Sequence, residues 1–448
     1  MALALNSSYI TLELASLISK KCVAKASKSQ YEDNPDPIYC FEVAEEEGII
    51  YVPLGIWKDV IDEENLPVKY PKTNVTCKKK LYTLETDPKG YRDQDVVFEE
   101  ALVKLENDRV LFLALSTGFG KTTLGNYFAC YTKLKTAVLC HIDKVNEQWI
   151  EEFTKFTNAK VQRVKGSKPI DPNADVYIIG VQKASKIPRE QLSHIGLVIF
   201  DEAHVATVTA FKTSLLRFQP KYVIGLSATP RRADGLHKLL TMYFGPRKEF
   251  IHRQEVKEFT VYKVNTPFKP SIKYTMVKGV MVPDWCHIVN SIEYNEERHD
   301  YIVKLIMSHP NHKILVLSGR QNQSKSIYKK AVEAGEKSIK LLIGTTKDDG
   351  ISKRVTIAGT KKAGTGYDDP ELNMLIIASD CKNVEQWEGR LRTVGCIIFT
   401  LIDDYKTFEN HWKIQEAWFL KKGATIENIE LRQNIKVGIL KKRMIKPK

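Results

Sequence analysis

The segment STGFGKTT at residues 116–123 places two glycines, one lysine and two threonines directly after an apolar run, VLFLAL at 110–115. Glycines at 118 and 120 let successive backbone N–H groups turn toward one point. A helix starting near Thr122 adds its N-terminus, and the combination receives phosphate. In that layout Lys121 reaches the β- and γ-phosphates of a nucleotide and Thr122 holds Mg2+, with Thr117, Gly118, Gly120 and Thr123 completing the loop. The strict pattern asks for a small residue six positions before the lysine, where this chain has Leu115.

A second cluster, LVIFDEAH at 197–204, ends another apolar run with Asp201 and Glu202. Ligands of parallel sheets bind at the carboxyl ends of the strands. There Asp201 serves Mg2+, and Glu202 orients and activates the attacking water, so Thr122, Asp201 and Glu202 form the expected metal set. Taken singly, a Gly-rich turn and an acidic helix cap explain these two segments. Together on strand ends, they point to nucleotide hydrolysis.

The elements that must carry these loops are legible as short apolar runs. TAVLC (136–140), VYIIG (176–180), LVIF (197–200) and YVIGL (222–226) follow the first run, with helical segments between them. A second series comprises KILVL (313–317), KLLIG (340–344), RVTIAG (354–359), MLIIAS (374–379) and CIIFTLI (396–402). Continuous apolar strands alternating with helices predict parallel sheets covered on both faces. The expectation is an α/β protein with two parallel-sheet domains behind a small α+β N-terminal domain. The boundaries read as 1–88 for the accessory part, 89–255 and 256–425 for the two sheet domains, and 426–448 for a basic tail. The stretch from about 251 to 295 reads as a connector.

Composition sets the partner class. Lys and Arg total 68 against 54 Asp and Glu, a net charge of +14. That surplus suits a polyanion such as nucleic acid as well as a merely basic soluble protein. The segment VKYPKTNVTCKKKLYTL adds basic residues with interleaved aromatics, a pattern shared by nucleic-acid grips and ordinary solvated strands. The eight cysteines include no CxxC pair, so neither a zinc ribbon nor a disulfide framework is indicated. The start, MALALNSSYITLELASLISKK, lacks a basic leader region, and no apolar run has membrane-spanning length. An intracellular, soluble protein without a membrane partner is expected.

From here the chain resembles superfamily 2 helicases, over about residues 90–410. GLSATP (225–230) is similar to their third motif, AVLCHIDKVNEQWIEEF (137–153) and VYIIGVQKA (176–184) to their backbone-contacting strands, TKKAGTGYDDP (360–370) to the fifth motif and QWEGRLRT (386–393) to the sixth. The stretch GLSATPRRADGL followed by YFGP resembles the DEAH-bearing group that includes XPB, the phage UvsW-type recombination helicases and relatives in large DNA viruses. The resemblance implies two RecA-like domains that clamp ATP. Ser227, Thr229 and His204 would couple hydrolysis to movement. Gln386, Arg390 and Arg392 would act on the phosphates from the second domain. The family spaces its two arginines by three, whereas Arg392 stands two after Arg390. Gly366 and Asp368 would join the ATP site, as would Arg92 and Gln94, which sit one residue tighter than the family's R-x-x-Q.

Candidate nucleic-acid contacts are Lys144, Gln182, Lys183, Arg320, Thr360, Lys361 and Lys362. Such backbone contacts predict binding that weakens steeply with salt and shows little sequence preference. The resemblance thus implies an ATP- and Mg2+-dependent DNA helicase. Its partners would be single-stranded DNA and branched duplex DNA, as forks or Holliday junctions, in recombination, repair or replication, with residues 1–88 as the DNA grip. It would work as a monomer alongside recombination or replication proteins. A double-strand translocase that remodels protein–DNA or transcription complexes, a nuclease motor subunit, a DNA-binding scaffold and an RNA helicase are the alternatives. Compact size and diverged motifs point to a viral genome.

Overall fold

The computed structural model describes residues 2–25, 36–66, 69–88, 92–141, 143–165, 169–205, 213–228, 236–253, 258–277, 279–346, 349–364, 369, 371–382, 384–388, 391 and 395–431. They fall into two compact units, Met1–Gln254 and Glu255–Lys448. Among the described residues no helix is long and apolar enough to cross a membrane.

The first unit opens with β1 (Ala2–Asn6), α1 (Leu12–Lys21), β2 (Glu42–Ala44) and β3 (Ile49–Pro53), whose strands form a small antiparallel sheet in the order β1-β3-β2. After α2 (Gln94–Asp108) comes a seven-stranded sheet built from β4 (Val110–Leu115), β5 (Thr136–Cys140), β6 (Val161–Val164), β7 (Val176–Gly180), β8 (Leu197–Asp201), β9 (Tyr222–Ser227) and β10 (Ile251–Arg253). Its order is β10-β4-β9-β8-β5-β7-β6, and every pairing is parallel. Successive side chains of a strand point to opposite faces, so a strand buried on both sides must be apolar throughout. In β4, Val110, Phe112 and Ala114 enter one core, and Leu111, Leu113 and Leu115 enter the other.

The two faces are covered differently. One is covered by α2, α3 (Lys121–Thr132) and α4 (Asp143–Phe156), through Val97, Phe98, Leu124, Phe128, Trp149 and Phe153. The other is covered by α5 (His237–Phe244) together with Leu3, Ile18, Tyr51, Val52 and Trp57 from the N-terminal segment. That segment is tied down by polar contacts as well. Ala2 N–H donates to Phe218 O at 2.6 Å, Trp57 Nε1 to Asp108 O at 2.7 Å, and Arg189 pairs with Glu42 at 2.6 Å. YVPLGIW (51–57) supplies core residues here: Val52, Leu54 and Ile56 are buried. The basic stretch around Tyr70–Tyr82 is not a strand. It crosses α3 and α4, where Lys79 Nζ meets Thr123 Oγ1 at 3.0 Å and Lys78 N–H meets Phe156 O at 2.7 Å.

The second unit repeats the plan. Its strands are β11 (Phe259–Asn265), the separate pair β12 (Tyr274–Val277) and β13 (Val280–Pro283), β14 (Ile314–Ser318), β15 (Ile339–Leu342), β16 (Val355–Gly359), β17 (Met374–Ile377), β18 (Ile397–Ile402) and β19 (Ala424–Glu430). Seven of these make an all-parallel sheet in the order β15-β16-β14-β17-β18-β11-β19. In β14, Leu315 and Leu317 face a core shared with α6 (Trp285–Glu293) and α11 (Lys406–Lys421). Ile314 and Val316 face one shared with α7 (Glu296–Met307) and α8 (Gln321–Glu333). Both units are RecA-like. The stretch read as a connector, about 251–295, holds strands of both sheets, the separate hairpin and α6. Residues 424–430 add an edge strand to the second sheet.

Candidate nucleotide-hydrolysis site

The loop after β4 is a tight turn. Gly118 and Gly120 take φ of 83° and 105°, left-handed values that glycine adopts without Cβ strain. Phe119 N–H donates to Ser116 O at 3.2 Å, and the Phe119 side chain is buried beneath the loop. A Cβ on Gly120 would meet Gln94 Nε2 at 2.2 Å, so glycine is required there for close approach as well. Lys121 opens α3 and folds back over the turn, donating to Leu115 O at 3.2 Å. Thr122 lies in the first turn of α3, and the Thr123 hydroxyl accepts from Lys79 at 3.0 Å.

Gln94 and Arg92 stand beside this loop in different roles. Gln94 is buried and bridges two backbone groups. Its Nε2 donates to Phe119 O at 2.6 Å, and its Oε1 accepts from Tyr82 N–H at 3.0 Å. Gln94 therefore holds the shape of the glycine loop. Arg92 donates from Nε to Asp87 Oδ1 at 2.7 Å, with its guanidinium 4.3 Å from the centroid of the Tyr82 ring.

Asp201 ends β8, and β9 lies alongside in parallel register, so the acidic pair and Ser227 share one strand edge. Glu202 has φ of 49°, a left-handed conformation uncommon for a residue with a Cβ. That turn directs its carboxylate to the neighbours: His204 Nδ1 lies 3.3 Å from Glu202 Oε2 and 2.7 Å from Ser227 Oγ. Ser227 Oγ is also 3.5 Å from Glu202 Oε2. Glu202, His204 and Ser227 are thus brought together. Burial, and then the charge of Glu202, push the Asp201 carboxyl up to about 6, while Trp149 and the Lys121 ammonium work the other way. A buried carboxylate held beside a second acid and a loop lysine fits Mg2+ together with Thr122.

Trp149 is not among the residues that motif spacing singles out for the site. It is 1% exposed, and its Nε1 donates to Asp201 Oδ2 at 2.8 Å. The indole lies against α3 at Gly125, where a Cβ would meet Trp149 at 2.5 Å. In the sequence Trp149 falls within AVLCHIDKVNEQWIEEF, the segment read for its likeness to a backbone-contacting motif. Hydrogen-bond partners of metal-binding groups fix their orientation, and losing one costs roughly 10–100-fold in metal affinity or activity. Trp149→Phe keeps an aromatic ring and removes the N–H. It is expected to raise the Mg2+ concentration for half-maximal ATP hydrolysis by that factor, read by Mg2+ titration of the rate.

The remaining expected residues distribute as follows. Gln182 and Lys183 lie in the single helical turn after β7, Lys144 is the second residue of α4, and Thr360 and Lys361 begin α9 (Thr360–Gly364) after β16. Lys362 Nζ donates to Thr346 O at 3.2 Å. Arg320 caps α8, and its Nε donates to Asn290 Oδ1 at 2.8 Å. Gln386 lies in α10 (Glu385–Glu388). Thr229, Gly366, Asp368, Arg390 and Arg392 lie outside the described residues.

A family model described as Type III restriction enzyme, res subunit, matches residues 87–232, which hold both the glycine loop and the acidic pair. Protein 161L of Invertebrate iridescent virus 6, named as a helicase, is 29% identical over 462 aligned residues, spanning 96% of this chain and 100% of the relative. Protein 055L of Frog virus 3 (isolate Goorha), also named as a helicase, is 28% identical over 75% of this chain and 78% of its own.

The chain is thus similar to helicases of superfamily 2. The chain shares its fold with S. cerevisiae Dbp5, solved with RNA and ADP BeF3. The TM-score is 0.52 at 17% identity, covering 75% of this chain and 89% of that one. These likenesses support ATP-dependent helicase activity, and the glycine loop, the acidic pair and the His204–Ser227 contact all lie in the first unit.

Proposed function

We propose that this helicase is a DNA motor that acts on branched DNA, at forks or Holliday junctions, in recombination, repair or replication. The observation that carries the coupling of hydrolysis to movement is the short chain Glu202–His204–Ser227, with contacts of 3.3 and 2.7 Å. It ties the acid beside the attacking water to the end of β9, where the third motif begins. A change in charge at Glu202 therefore reaches the segment that leaves the strand. Thr122 and Asp201 would hold Mg2+, which supplies charge neutralisation at the phosphates when bound. Lys121, released from Leu115 O, would take up the β- and γ-phosphate oxygens. The roles given by resemblance to Gln386, Arg390 and Arg392 belong to the same proposal.

DNA as the substrate is supported by the likeness of GLSATPRRADGL to the XPB and UvsW group and by the surplus of 68 basic over 54 acidic residues. Because residues of 2–25 and 36–66 cover a face of the first sheet, any grip on DNA by 1–88 would be a surface of that unit.

The test is the ATP hydrolysis rate with single-stranded DNA, linear duplex, a three-way fork, a four-way junction and RNA. Greater stimulation by fork and junction than by linear duplex is expected. Equal stimulation by plain duplex selects the double-strand translocase instead, and stimulation by RNA alone sinks the DNA reading.

A further inference from the structure

The segment that crosses α3 is held along one face of that helix. Thr73 N–H donates to Lys133 O at 2.8 Å, Thr76 N–H to Asn158 Oδ1 at 2.7 Å, and Cys77 pairs with Thr157 in an antiparallel bridge. Lys79 Nζ reaches Thr123 Oγ1 at 3.0 Å, and the Tyr127 hydroxyl donates to Lys79 O. Thr123, Tyr127 and Cys130 follow one another at helical spacing, so they lie on one side of α3. At the end of that row the Cys77 and Cys130 thiols are hydrogen-bonded to each other, and Cys77 Sγ also lies 3.5 Å from Lys79 O. Both cysteines are half-buried.

The two sulfurs differ in character. The hydrogen bond from Cys130 holds the Cys77 thiol below the ordinary thiol range; burial opposes this, and the Lys79 backbone and ammonium reinforce it. The same hydrogen bond, then burial and the charge of Cys77, push the Cys130 thiol up. The thiolate is the form of sulfur that attacks. A second close pair has the opposite surroundings. Cys40 N–H donates to Cys22 O at 2.8 Å, both residues are fully buried, and burial pushes the Cys22 thiol up to about 12. Cys22 is therefore protonated and closed to a reagent in solution, whereas Cys77 is open to one.

We propose that Cys77 and Cys130 form an oxidation site for a peroxide, which closes a reversible disulfide between the crossing segment and the helix that carries Lys121 and Thr122. The Cys77 thiolate attacks one peroxide oxygen. The O–O bond breaks, the other oxygen takes up a proton and leaves as water, and Cys77 is left as a sulfenic acid. The Cys130 sulfur, giving up its proton, then attacks the Cys77 sulfur. The S–O bond breaks, and the hydroxyl leaves with that proton as a second water. Two electrons pass from the sulfurs to the peroxide, and a small dithiol returns both by exchange.

The clasp closes a loop from residue 77 to residue 130 that contains Gln94, the glycine loop and the start of α3. A cross-link over so long a stretch restricts the unfolded chain more than the folded one. The folded contacts are already in place: Tyr82 N–H donates to Gln94 Oε1 at 3.0 Å, and Gln94 Nε2 donates to Phe119 O at 2.6 Å. Oxidation therefore steadies the phosphate loop without remaking it, whichever nucleic acid the protein acts on.

The test treats the full chain with hydrogen peroxide, quenches it with iodoacetamide and maps the digested peptides by mass spectrometry. A Cys77–Cys130 cross-link within single chains is expected, with two of the eight thiols lost and both regained in dithiothreitol. Cys130→Ser is expected to stop at the Cys77 sulfenic acid, which dimedone traps. The cross-linked protein is expected to keep its ATP hydrolysis. Its first unit is expected to unfold at a midpoint about 5 °C or more higher, a rise absent from Cys130→Ser. A cross-link between other cysteines, oxidation of the exposed Cys286 ahead of Cys77, loss of ATP hydrolysis on cross-linking, or an unchanged or lower midpoint overturns the proposal. The mapping uses the parent chain alone, so it decides the matter even where a variant folds poorly.

Discussion

Glu202→Gln is expected to reduce ATP turnover by roughly 10²–10⁴-fold, the contribution of a positioned general base. The amide is nearly the same shape as the carboxylate and can still meet His204 and Ser227, which lie 3.3 and 3.5 Å from Oε2. What it loses is the ability to take a proton from the attacking water. The loss therefore falls on kcat, with the apparent KM for ATP little changed, and single-turnover kinetics distinguish it from a binding defect. The sign of a second effect also follows. Burial raises the Asp201 carboxyl first and the Glu202 charge raises it next, to about 6. Removing the Glu202 charge lets Asp201 ionise at lower pH, so Mg2+-dependent ATP binding is expected to persist into more acidic solution in the variant. A variant whose binding is lost earlier on acidification would contradict the assignment of Asp201 as the Mg2+-facing acid.

Arg298→Met is expected to cost about 3–5 kcal/mol of stability in the second unit, the usual result of removing one partner from a buried ion pair. Arg298 is 0% exposed. Its Nε donates to Asp403 Oδ1 at 3.0 Å and its Nη1 to Ala378 O at 2.6 Å. Asp403 also accepts from Thr266 Oγ1 at 2.6 Å, which cannot by itself neutralise a buried carboxylate. The effect spreads because Ala378 O also receives Gln323 Nε2 at 3.0 Å, and Gln323 meets Ser318 and Ser379 at the strand ends next to Arg320. Denaturant unfolding measures the loss. The double variant Arg298→Met with Asp403→Leu, which removes both members of the ion pair, is expected to recover much of it. If the double variant is as unstable as the single, the cost is one of packing and not of stranded charge.

The central strands were readable because a strand covered on both faces leaves no position for a polar residue. VLFLAL and LVIF can hardly be anything else. Edge strands obey a weaker rule. Val161–Val164 (VQRV) and Ala424–Glu430 (ATIENIE) have one side toward solvent, carry charged or amide residues, and blend into loops. Phe259–Asn265 alternates only loosely, with Tyr262 and Lys263 side by side, and lies in a less regular stretch, so it reads as part of a connector. The phosphate loop and the acidic pair were legible because their chemistry fixes both residue type and spacing. Gln94 and Trp149 were not legible in their observed roles. Gln94 uses both ends of its amide on backbone groups more than ten residues away in sequence, and Trp149 reaches Asp201 across a helix only because residue 125 is glycine. Such contacts depend on how elements pack, which local pattern does not encode.

The way residues of 2–25 and 36–66 cover a face of the first sheet bears on how the protein is made. Ala2 is hydrogen-bonded to Phe218, and Trp57 to Asp108. Contacts separated by roughly two hundred residues form late, because the intervening chain must first be available and ordered. During synthesis the β1–β3 ribbon emerges well before the sheet it covers. Until β9 has left the ribosome, apolar residues such as Leu3 and Val52 have each other but not the sheet face that covers them. Partly made chains of this kind expose sticky surface and aggregate. Slow translation of the first 220 residues or a shortage of holding chaperones is therefore expected to lower the yield of the first unit. The second unit, whose sheet is drawn entirely from residues 259–430, has no partner strand to wait for from the earlier part of the chain.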